Sequence, residues 1–161
     1  MSARALFRVR PARRSDAAGL VKVFRRFYRE ERFSRAAIAA VPRTLAGVLR
    51  RKDTAAFVAE AEGAIVGAAA MSTAYGLEVG LYGEIEDIYV LPEWRRCGVA
   101  SALIEACLAW ARARGCHDVE IVLTPHAQAK KGLAAWYAKR GFENSGRVIW
   151  YRELRKRKPR R

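Results

Sequence analysis

The pattern of apolar and polar residues predicts four β-strands in the first ninety positions. Residues 7–10 alternate apolar and polar side chains until a proline ends the run, as expected for a half-buried strand. Residues 55–61 and 64–73 flank Glu62-Gly63, a dipeptide typical of the tight turn in a β-hairpin. Residues 84–90 form the fourth predicted strand.

Helical patterns separate and follow these strands. Apolar residues recur at helical spacing from Leu20 to Phe27, after Ser15 or Asp16 as the N-terminal cap. The other predicted elements are helices over residues 35–51 (interrupted by Pro42), 98–114 and 131–140, and strands over residues 119–123 and 147–151. The order β-α-α-β-β-β-α-β-α-β predicts an α/β (α+β) fold with one mixed sheet. We expect a single domain over residues 1–154, followed by a basic tail over residues 155–161.

The composition narrows the class of protein. The 161 residues are of one-domain length, and a hydrophobic content of 52% is enough for a packed core. The most apolar segments carry charged residues every few positions, so no membrane span is predicted. Cys97, Cys107 and Cys116 form no CxxC pair and are odd in number, which disfavours a disulfide framework and a structural zinc site. We therefore expect a reduced, cytoplasmic protein without a bound metal.

The net charge of +15 is unevenly distributed along the chain. Residues 1–52 and 111–161 are strongly basic, whereas residues 53–110 carry nine acidic side chains and two cations, the adjacent Arg95 and Arg96. A basic protein attracts nucleic acid, so a nucleic-acid-binding module is one interpretation. No RNA- or DNA-binding motif accompanies the charge, and we therefore do not expect nucleic acid as the partner.

The two arginines begin a segment typical of anion binding. Residues 95–100 read RRCGVA and lead from a strand into the helix predicted over residues 98–114. The first turn of a helix has unpaired backbone N–H groups and the positive end of the helix dipole, and small residues such as Gly98 and Ala100 let a diphosphate approach the backbone. The segment lacks the GKS/T of a P-loop and the three glycines of a dinucleotide-binding turn. Taken alone, it is equally compatible with a solvated helix start.

Two spaced motifs resemble those of the GNAT superfamily of acetyl-CoA-dependent N-acetyltransferases. The family pattern [QR]-x-x-G-x-[GA] follows a strand that ends hydrophobic-x-V-x-P, and residues 88–100 here read IYVLPEWRRCGVA. The second motif, an aromatic pair before Gly-Phe, reads Trp136-Tyr137 followed by Gly141-Phe142. With the matching element order, the resemblance covers nearly the whole chain. It implies a single mixed, mostly antiparallel sheet flanked by helices, with splayed central parallel strands, and direct acetyl transfer to a primary amine.

The resemblance assigns acetyl-CoA, the co-substrate, to the strand end and the turn that follows it. The strand backbone would pair with the pantetheine arm, the N–H of Val90 would donate to the acetyl carbonyl, and the turn would hold the diphosphate. Removing a donor of the Val90 type typically costs about 3 kcal/mol of barrier. The implied cofactor-binding residues are Ile88, Tyr89, Val90, Arg95, Arg96, Cys97, Gly98, Val99, Ala100 and Ser101.

The resemblance also implies a general acid and a general base. Tyr137 lies four residues before Gly141 and would protonate the leaving thiolate, since a phenol and a thiol have similar pKa values. The alternative for Tyr137 is a half-buried packing aromatic. Glu84 stands where histone-type members keep a catalytic Glu that deprotonates the amine. Glu84 and Glu86 share a strand face and are the first and second candidates for this base, with Asp87 predicted on the other face; a water relay is the alternative.

The acceptor amine is expected to meet the first two helices and the segment before the fourth strand. Aromatic and acidic residues there suit a cationic amine through carboxylate pairing and cation–π contact. The candidates are Tyr28, Glu30, Glu31, Phe33, Tyr75, Glu78, Tyr82 and Asp87. A polyamine-like molecule, an aminoglycoside, an amino acid derivative and a protein amino group remain open as substrates. A non-catalytic CoA-binding or nucleic-acid-binding module also remains open, and the resemblance is compatible with a homodimer.

Overall fold

The computed structural model describes residues 6–129 and 132–154 of the chain. The strands in these ranges are β1 (Arg8–Pro11), β2 (Thr54–Ala61), β3 (Ala64–Gly76), β4 (Gly80–Val90) and β5 (Asp118–Ile121). They form one sheet in the order β1-β2-β3-β4-β5, in which only the β4–β5 pairing is parallel among the described residues. The predicted single mixed, mostly antiparallel sheet is therefore confirmed. The predicted basic tail over residues 155–161 and the first residue of the helix predicted over 131–140 lie outside the described residues.

Helices cover both faces of this sheet. They are α1 (Ala17–Glu30), α2 (Arg35–Val48), α3 (Val99–Ala113) and the short α4 (Pro125–Gln128) and α5 (Leu133–Ala138). Side chains alternate along a strand, so Ala68 and Ala70 of β3 pack with α1 and α2, whereas Ala69 and Met71 pack with α3. The sheet therefore has an apolar core on each face, as its long apolar strands require.

Helix α3 lies directly on β3 because residue 67 is a glycine. A Cβ at Gly67 would come within 3.0 Å of Val99 Cγ1 and 3.1 Å of the Tyr89 carbonyl oxygen. A larger residue would push the helix away from the strand. The close approach places the N-terminal end of α3 beside the end of β4.

The predicted interruption at Pro42 is wrong, because α2 continues through this residue. A proline has no N–H for the carbonyl oxygen four residues earlier, here that of Ile38. Arg25 Nε on α1 donates to this oxygen at 3.4 Å instead. At the start of α2, Ser34 Oγ accepts a hydrogen bond from the N–H of Ala37. These two side-chain contacts satisfy backbone groups that the helix itself leaves unpaired.

The predicted strand over residues 147–151 is also wrong for the single chain. Residues 142–154 belong to no strand, and Arg147 contacts the rest of the protein through an ion pair of 2.7 Å with Glu78 in the β3–β4 turn. A strand needs a hydrogen-bonded neighbour, and in the described structure no strand is paired with the outer edge of β5.

Within the described ranges, no helix has the length and apolar character needed to cross a membrane.

Candidate active site

A cleft of about 550 Å³ opens where β4 and β5 separate. Strand β5 pairs with residues 82–85 of β4, whereas residues 87–90 of β4 pair with β3 alone among the described strands. The unpaired edge of β4 at residues 87–90 forms the floor of the cleft. The end of α1, the turn before α3, the residues after β5, and α5 form its walls. The predicted splay of the parallel strands is present at this point.

The backbone of Val90 faces the cleft. The next residue, Leu91, donates its N–H to the Val66 carbonyl oxygen on β3 at 2.9 Å. Successive N–H groups of a strand point to opposite edges, so the N–H of Val90 points to the free edge. Its carbonyl oxygen accepts a hydrogen bond from Arg95 Nε at 3.1 Å on that side. By the same alternation, Ile88 presents its backbone to the cleft, whereas the backbone of Tyr89 faces β3.

The turn between β4 and α3 can hold a diphosphate. Arg96 and Gly98 have positive φ angles of 63° and 89°, which curl the backbone before α3 begins. A Cβ on Gly98 would meet no described atom within 4 Å, so the space above the turn is open. The first N–H groups of α3 have no acceptor within the helix. The side chain of Val99 is buried in the core, so the backbone of Val99 faces the turn. These features fit the diphosphate of coenzyme A.

Arg95 has a different environment from the one the sequence suggests. Its Nη2 lies 2.8 Å from both carboxylate oxygens of Glu30, and its guanidinium lies 5.3 Å from the centre of the Tyr89 ring. Tyr89 Oη donates to Glu30 at 2.6 Å. The Arg95 side chain therefore joins the end of α1 to the end of β4 instead of extending over the turn. Arg96 is exposed beside the turn, and Cys97 Sγ contacts the carbonyl oxygen of Arg95 at 3.5 Å.

A cation that the sequence reasoning missed lies next to the turn. Arg140 donates from Nη2 and Nε to Ser101 Oγ at 2.6 and 3.2 Å, in the first turn of α3. Its guanidinium also stacks 3.5 Å above the Trp136 ring and donates to the Trp136 carbonyl oxygen. Stacking and hydrogen bonding hold the charge in one place. The signal that could have found it is its position immediately before the Gly141-Phe142 motif.

Tyr137 lies in the wall of the cleft and is almost fully buried, with 6% of its surface exposed. Its ring makes edge-on contacts with Trp136 and Phe142, at centroid distances of 5.0 and 5.6 Å. Burial raises the pKa of Tyr137 to about 12, against a smaller lowering by the positive charge of Arg140. The phenol therefore keeps its proton at neutral pH, which is the form a proton donor needs.

A β-bulge changes which carboxylates of β4 share a face. Ala70 pairs with Asp87 and Met71 pairs with Ile85, so Glu86 is the extra residue. Because of this insertion, Asp87 lies on the α1 side of the sheet together with Glu84. The prediction that Asp87 occupies the opposite face is wrong, since alternation across residues 84–87 is interrupted.

Asp87 is a strongly perturbed carboxyl of the cleft. Its carboxylate accepts a hydrogen bond from Tyr28 Oη at 3.0 Å. Burial raises the pKa of Asp87 to about 6, and the nearby negative charge of Glu86 also raises it, whereas the Tyr28 hydrogen bond opposes this. A carboxyl with a pKa near neutrality can exchange a proton with an amine in either direction. The same burial raises the pKa of the Tyr28 phenol.

The two carboxylates predicted as bases differ in their access to the cleft. Glu86 lines it and accepts a hydrogen bond from Ser72 Oγ at 2.6 Å. Glu84 lies farther along β4, opposite Glu120 of β5, and is not among the described residues that line the cleft. Partial burial raises the pKa of Glu84, with smaller contributions from the charges of Glu86 and Glu120.

The predicted acceptor residues fall into two groups. The first is near the end of α1, where Tyr28 and Phe33 stack at 4.5 Å and the Glu31 carboxylate lies 3.9 Å from His126 Nε2. Glu30, Glu31 and Phe33 line the cleft directly. The second group lies outside the cleft, at the β3–β4 hairpin: Tyr75 and Tyr82 lie on its two strands, and Glu78 in its turn pairs with Arg147.

The fold and the cleft together define an acetyltransferase. The profile of the acetyltransferase (GNAT) family matches residues 18–142, and the chain belongs to this family. The aminoglycoside N(6')-acetyltransferase type 1 of Salmonella typhimurium is 31% identical over 110 residues, which cover 66% of this chain and 74% of that protein. An uncharacterized N-acetyltransferase of Methanocaldococcus jannaschii is 30% identical over 112 residues, covering 68% of this chain and 48% of that protein.

Solved structures show the same fold. The aminoglycoside N-acetyltransferase AAC(6')-Iy in complex with CoA has a TM-score of 0.79 at 23% identity, covering 96% of this chain and 99% of that one. A predicted acetyltransferase with acetyl-CoA from Clostridium acetobutylicum has a TM-score of 0.76 at 21% identity, covering 91% of this chain and 96% of that one.

In the described residues, no group of three or more His, Cys, Asp or Glu side chains could hold a metal ion.

Proposed function

We propose that this enzyme acetylates a primary amine of an aminoglycoside-like polycationic small molecule. The observation that carries the proposal is Asp87, a largely buried carboxyl that faces the same cleft as the N–H of Val90. Carboxylates of Glu31 and Glu86, and of Glu30 in its ion pair with Arg95, also line the cleft, beside the rings of α1 and the residues that follow it. Such a wall suits a substrate with several ammonium groups. The names of the aminoglycoside N(6')-acetyltransferase relatives support this class of acceptor, and on that basis we propose the 6' amine as the group that is acetylated.

We infer that Asp87 takes the proton from the attacking ammonium, directly or through a water molecule. Glu84, the first candidate from the sequence, lies outside the cleft lining, and the exposed Glu86 lacks the burial that raises the pKa of Asp87. The pKa of about 6 leaves Asp87 ionised at pH 7.5 and still basic enough to accept a proton. The hydrogen bond from Tyr28 fixes the orientation of the carboxylate.

Acetyl-CoA supplies the activated acetyl thioester. The N–H of Val90 is oriented to stabilise negative charge that develops on a carbonyl oxygen at the free edge of β4. Tyr137, kept protonated by its burial, donates a proton to the departing thiolate. The turn at Gly98 and the first turn of α3, with Arg140 beside Ser101, bind the diphosphate.

We also place the enzyme in the cytoplasm, since Cys97, Cys107 and Cys116 are all free thiols.

The test is a thiol-release assay with acetyl-CoA and three classes of amine: a 6'-amino aminoglycoside, a linear polyamine and a lysine-containing peptide. We expect the aminoglycoside to give the highest kcat/KM, by about 10²-fold or more, because a rigid polycation can meet several carboxylates at once. The linear polyamine controls for charge alone. A higher kcat/KM for the peptide would contradict the proposal and indicate a protein amine as the acceptor.

A further inference from the structure

The side chain of Arg95 contacts the end of β4 and the end of α1 at the same time. Its Nε donates to the Val90 carbonyl oxygen at 3.1 Å, and its Nη2 lies 2.8 Å from both carboxylate oxygens of Glu30. Its guanidinium also lies 5.3 Å from the centre of the Tyr89 ring. The described contacts of this guanidinium are therefore with residues 30, 89 and 90, and none of them is with the turn before α3.

Val90 needs an anchor because β4 has lost one of its neighbours at this point. Strand β5 pairs with residues 82–85 only, so the unpaired edge at residues 87–90 has no ladder hydrogen bonds to a described strand. The hydrogen bond from Arg95 Nε supplies a contact on that side. It holds the carbonyl oxygen of the same residue whose N–H faces the cleft.

Tyr89 is anchored to the same carboxylate. Its ring is buried, and its Oη donates to Glu30 at 2.6 Å. Burial and this hydrogen bond raise the pKa of Tyr89 to about 12, so the phenol remains a donor at neutral pH. The peptide group that carries the Val90 N–H lies between Tyr89 and Val90. Glu30 therefore holds the residue before this N–H directly and the residue after it through Arg95.

We call Glu30, Arg95 and Tyr89 the clamp. We propose that the clamp holds the N–H of Val90 in position for the acetyl carbonyl oxygen, so that Arg95 is a positioning residue and not a ligand of the diphosphate. The effect of the clamp on catalysis rests on the proposed function, in which this N–H stabilises that oxygen. A donor stabilises developing charge best when it is oriented before the reaction begins.

Glu30 also connects the clamp to the acceptor side of the cleft. It is the last residue of α1, and Glu31 and Phe33 line the cleft just after it. The clamp therefore holds the acceptor wall and the strand end that faces the acetyl group in one fixed relation. A displacement of about 1 Å between reacting groups can cost about 100-fold in rate.

Arg95→Lys tests the clamp in the acetyl-transfer assay. Lysine keeps the charge but lacks the planar fork that contacts Glu30 and the Val90 carbonyl oxygen together. We expect kcat at saturating acetyl-CoA to fall about 10–100-fold, while the Kd for CoA in calorimetric titration stays unchanged and shows that the variant is folded. Arg140→Gln, at the diphosphate, should instead raise the Kd for CoA about 10-fold. An unchanged kcat for Arg95→Lys, or a Kd raised as much as by Arg140→Gln, would overturn the proposal.

Arg26→Gln is the matched control. Arg26 also joins α1 to the segment after β4, through Glu93 at 3.6 Å, but these side chains are 49% and 54% exposed. We expect neither kcat nor the Kd for CoA to change, and a loss of kcat equal to that of Arg95→Lys would contradict a specific role for the clamp.

Tyr89→Phe removes one hydroxyl of the clamp and should lower kcat about 3–10-fold. Because Tyr89 and Arg95 both act through Glu30, the double variant with Arg95→Lys should lose less than the product of the two single effects. Two effects that simply multiply would contradict a common clamp.

Heteronuclear NMR of the Val90 amide tests the clamp without an acceptor amine. In the wild type, the amide proton shift should differ between the CoA and acetyl-CoA complexes, because only the acetyl carbonyl oxygen accepts this hydrogen bond. Arg26→Gln should keep the difference, and Arg95→Lys should reduce it strongly. A wild-type protein without any difference would remove the donor role in the proposed function and the clamp with it. A difference that Arg95→Lys leaves unchanged would overturn the clamp alone.

Discussion

Asp87→Asn should make the folded protein more stable while removing most of its activity. Burial raises the pKa of Asp87 from its ordinary 3.8 to about 6, so holding the carboxylate ionised at pH 8 costs folding free energy. Asparagine has nearly the same shape and carries no charge. Its amide oxygen can still accept the hydrogen bond from Tyr28, which now reaches Asp87 at 3.0 Å. The substitution therefore removes the charge and keeps the contact.

The magnitude follows from the difference between the folded and unfolded pKa values. About two pKa units correspond to about 3 kcal/mol, which is about 6–12 °C in Tm for a chain of this length. The folded state binds the proton more tightly, so the cost is absent below about pH 4, increases between about pH 4 and 6, and is complete above about pH 6. The Tm advantage of Asp87→Asn should increase over the same pH interval.

Thermal unfolding of both proteins between pH 4 and pH 8 measures this advantage. Glu105→Gln is the control, because Glu105 is an exposed carboxylate on α3, and removing its charge should leave the Tm at pH 8 close to that of wild type. In the acetyl-transfer assay, wild-type kcat should fall as the pH decreases through about 6, and Asp87→Asn should lower kcat by about 10²-fold or more. An Asp87→Asn protein that is no more stable than wild type at pH 8 would refute the burial argument. Unchanged kcat would remove Asp87 from the base role.

Three further substitutions test other parts of the account. Tyr137→Phe should lower kcat by about 10²-fold with an unchanged Kd for acetyl-CoA in calorimetric titration, and an unchanged kcat would exclude the acid role. Arg140→Gln should raise the Kd for acetyl-CoA about 10-fold, which is the effect of losing one charge-assisted hydrogen bond. Lys139 is an exposed neighbour, so Lys139→Gln should leave this Kd unchanged. Equal effects of the two substitutions would contradict the role of Arg140. Gly67→Ala should reduce the free energy of unfolding, measured in urea, by about 1–3 kcal/mol, because the added methyl group would meet Val99 at 3.0 Å. An unaltered midpoint of urea unfolding would show that α3 is not in tight contact with β3.

The geometry of the turn before α3 was predictable because its signals are local. The turn before α3 needs small residues and positive φ angles within a few positions, and Gly98 meets both requirements. The helix that follows has its apolar residues at helical spacing, and its close packing on β3 positions the turn. Tyr137 was found from a short motif for the same reason, since one helical turn determines its place relative to Gly141.

The features that the sequence could not reveal depend on pairing between distant segments. The bulge at Glu86 appears only when β4 is aligned with β3, and without it strand alternation places Asp87 on the wrong face. The contact of Arg140 with Ser101 joins residues 39 positions apart. The side chain of Arg95 binds Glu30, a partner 65 positions away, and no local pattern indicates this.

The last predicted strand fails for a related reason. Residues 147–151 have the apolar pattern of a strand, but a pattern does not supply the neighbour that a strand requires. In the single chain these residues are exposed.

The central claim is that the cleft transfers an acetyl group to one amine of an aminoglycoside-like polycation. It is tested most directly by assaying a matched pair of aminoglycosides that differ only at the 6' position, one with an amine and one with a hydroxyl. The account predicts rapid thiol release with the 6'-amine and a product whose NMR spectrum places the acetyl group on that nitrogen, with release at least about 10²-fold slower for the 6'-hydroxyl compound. Equal rates for the two compounds, or an acetyl group on a different nitrogen, would contradict it.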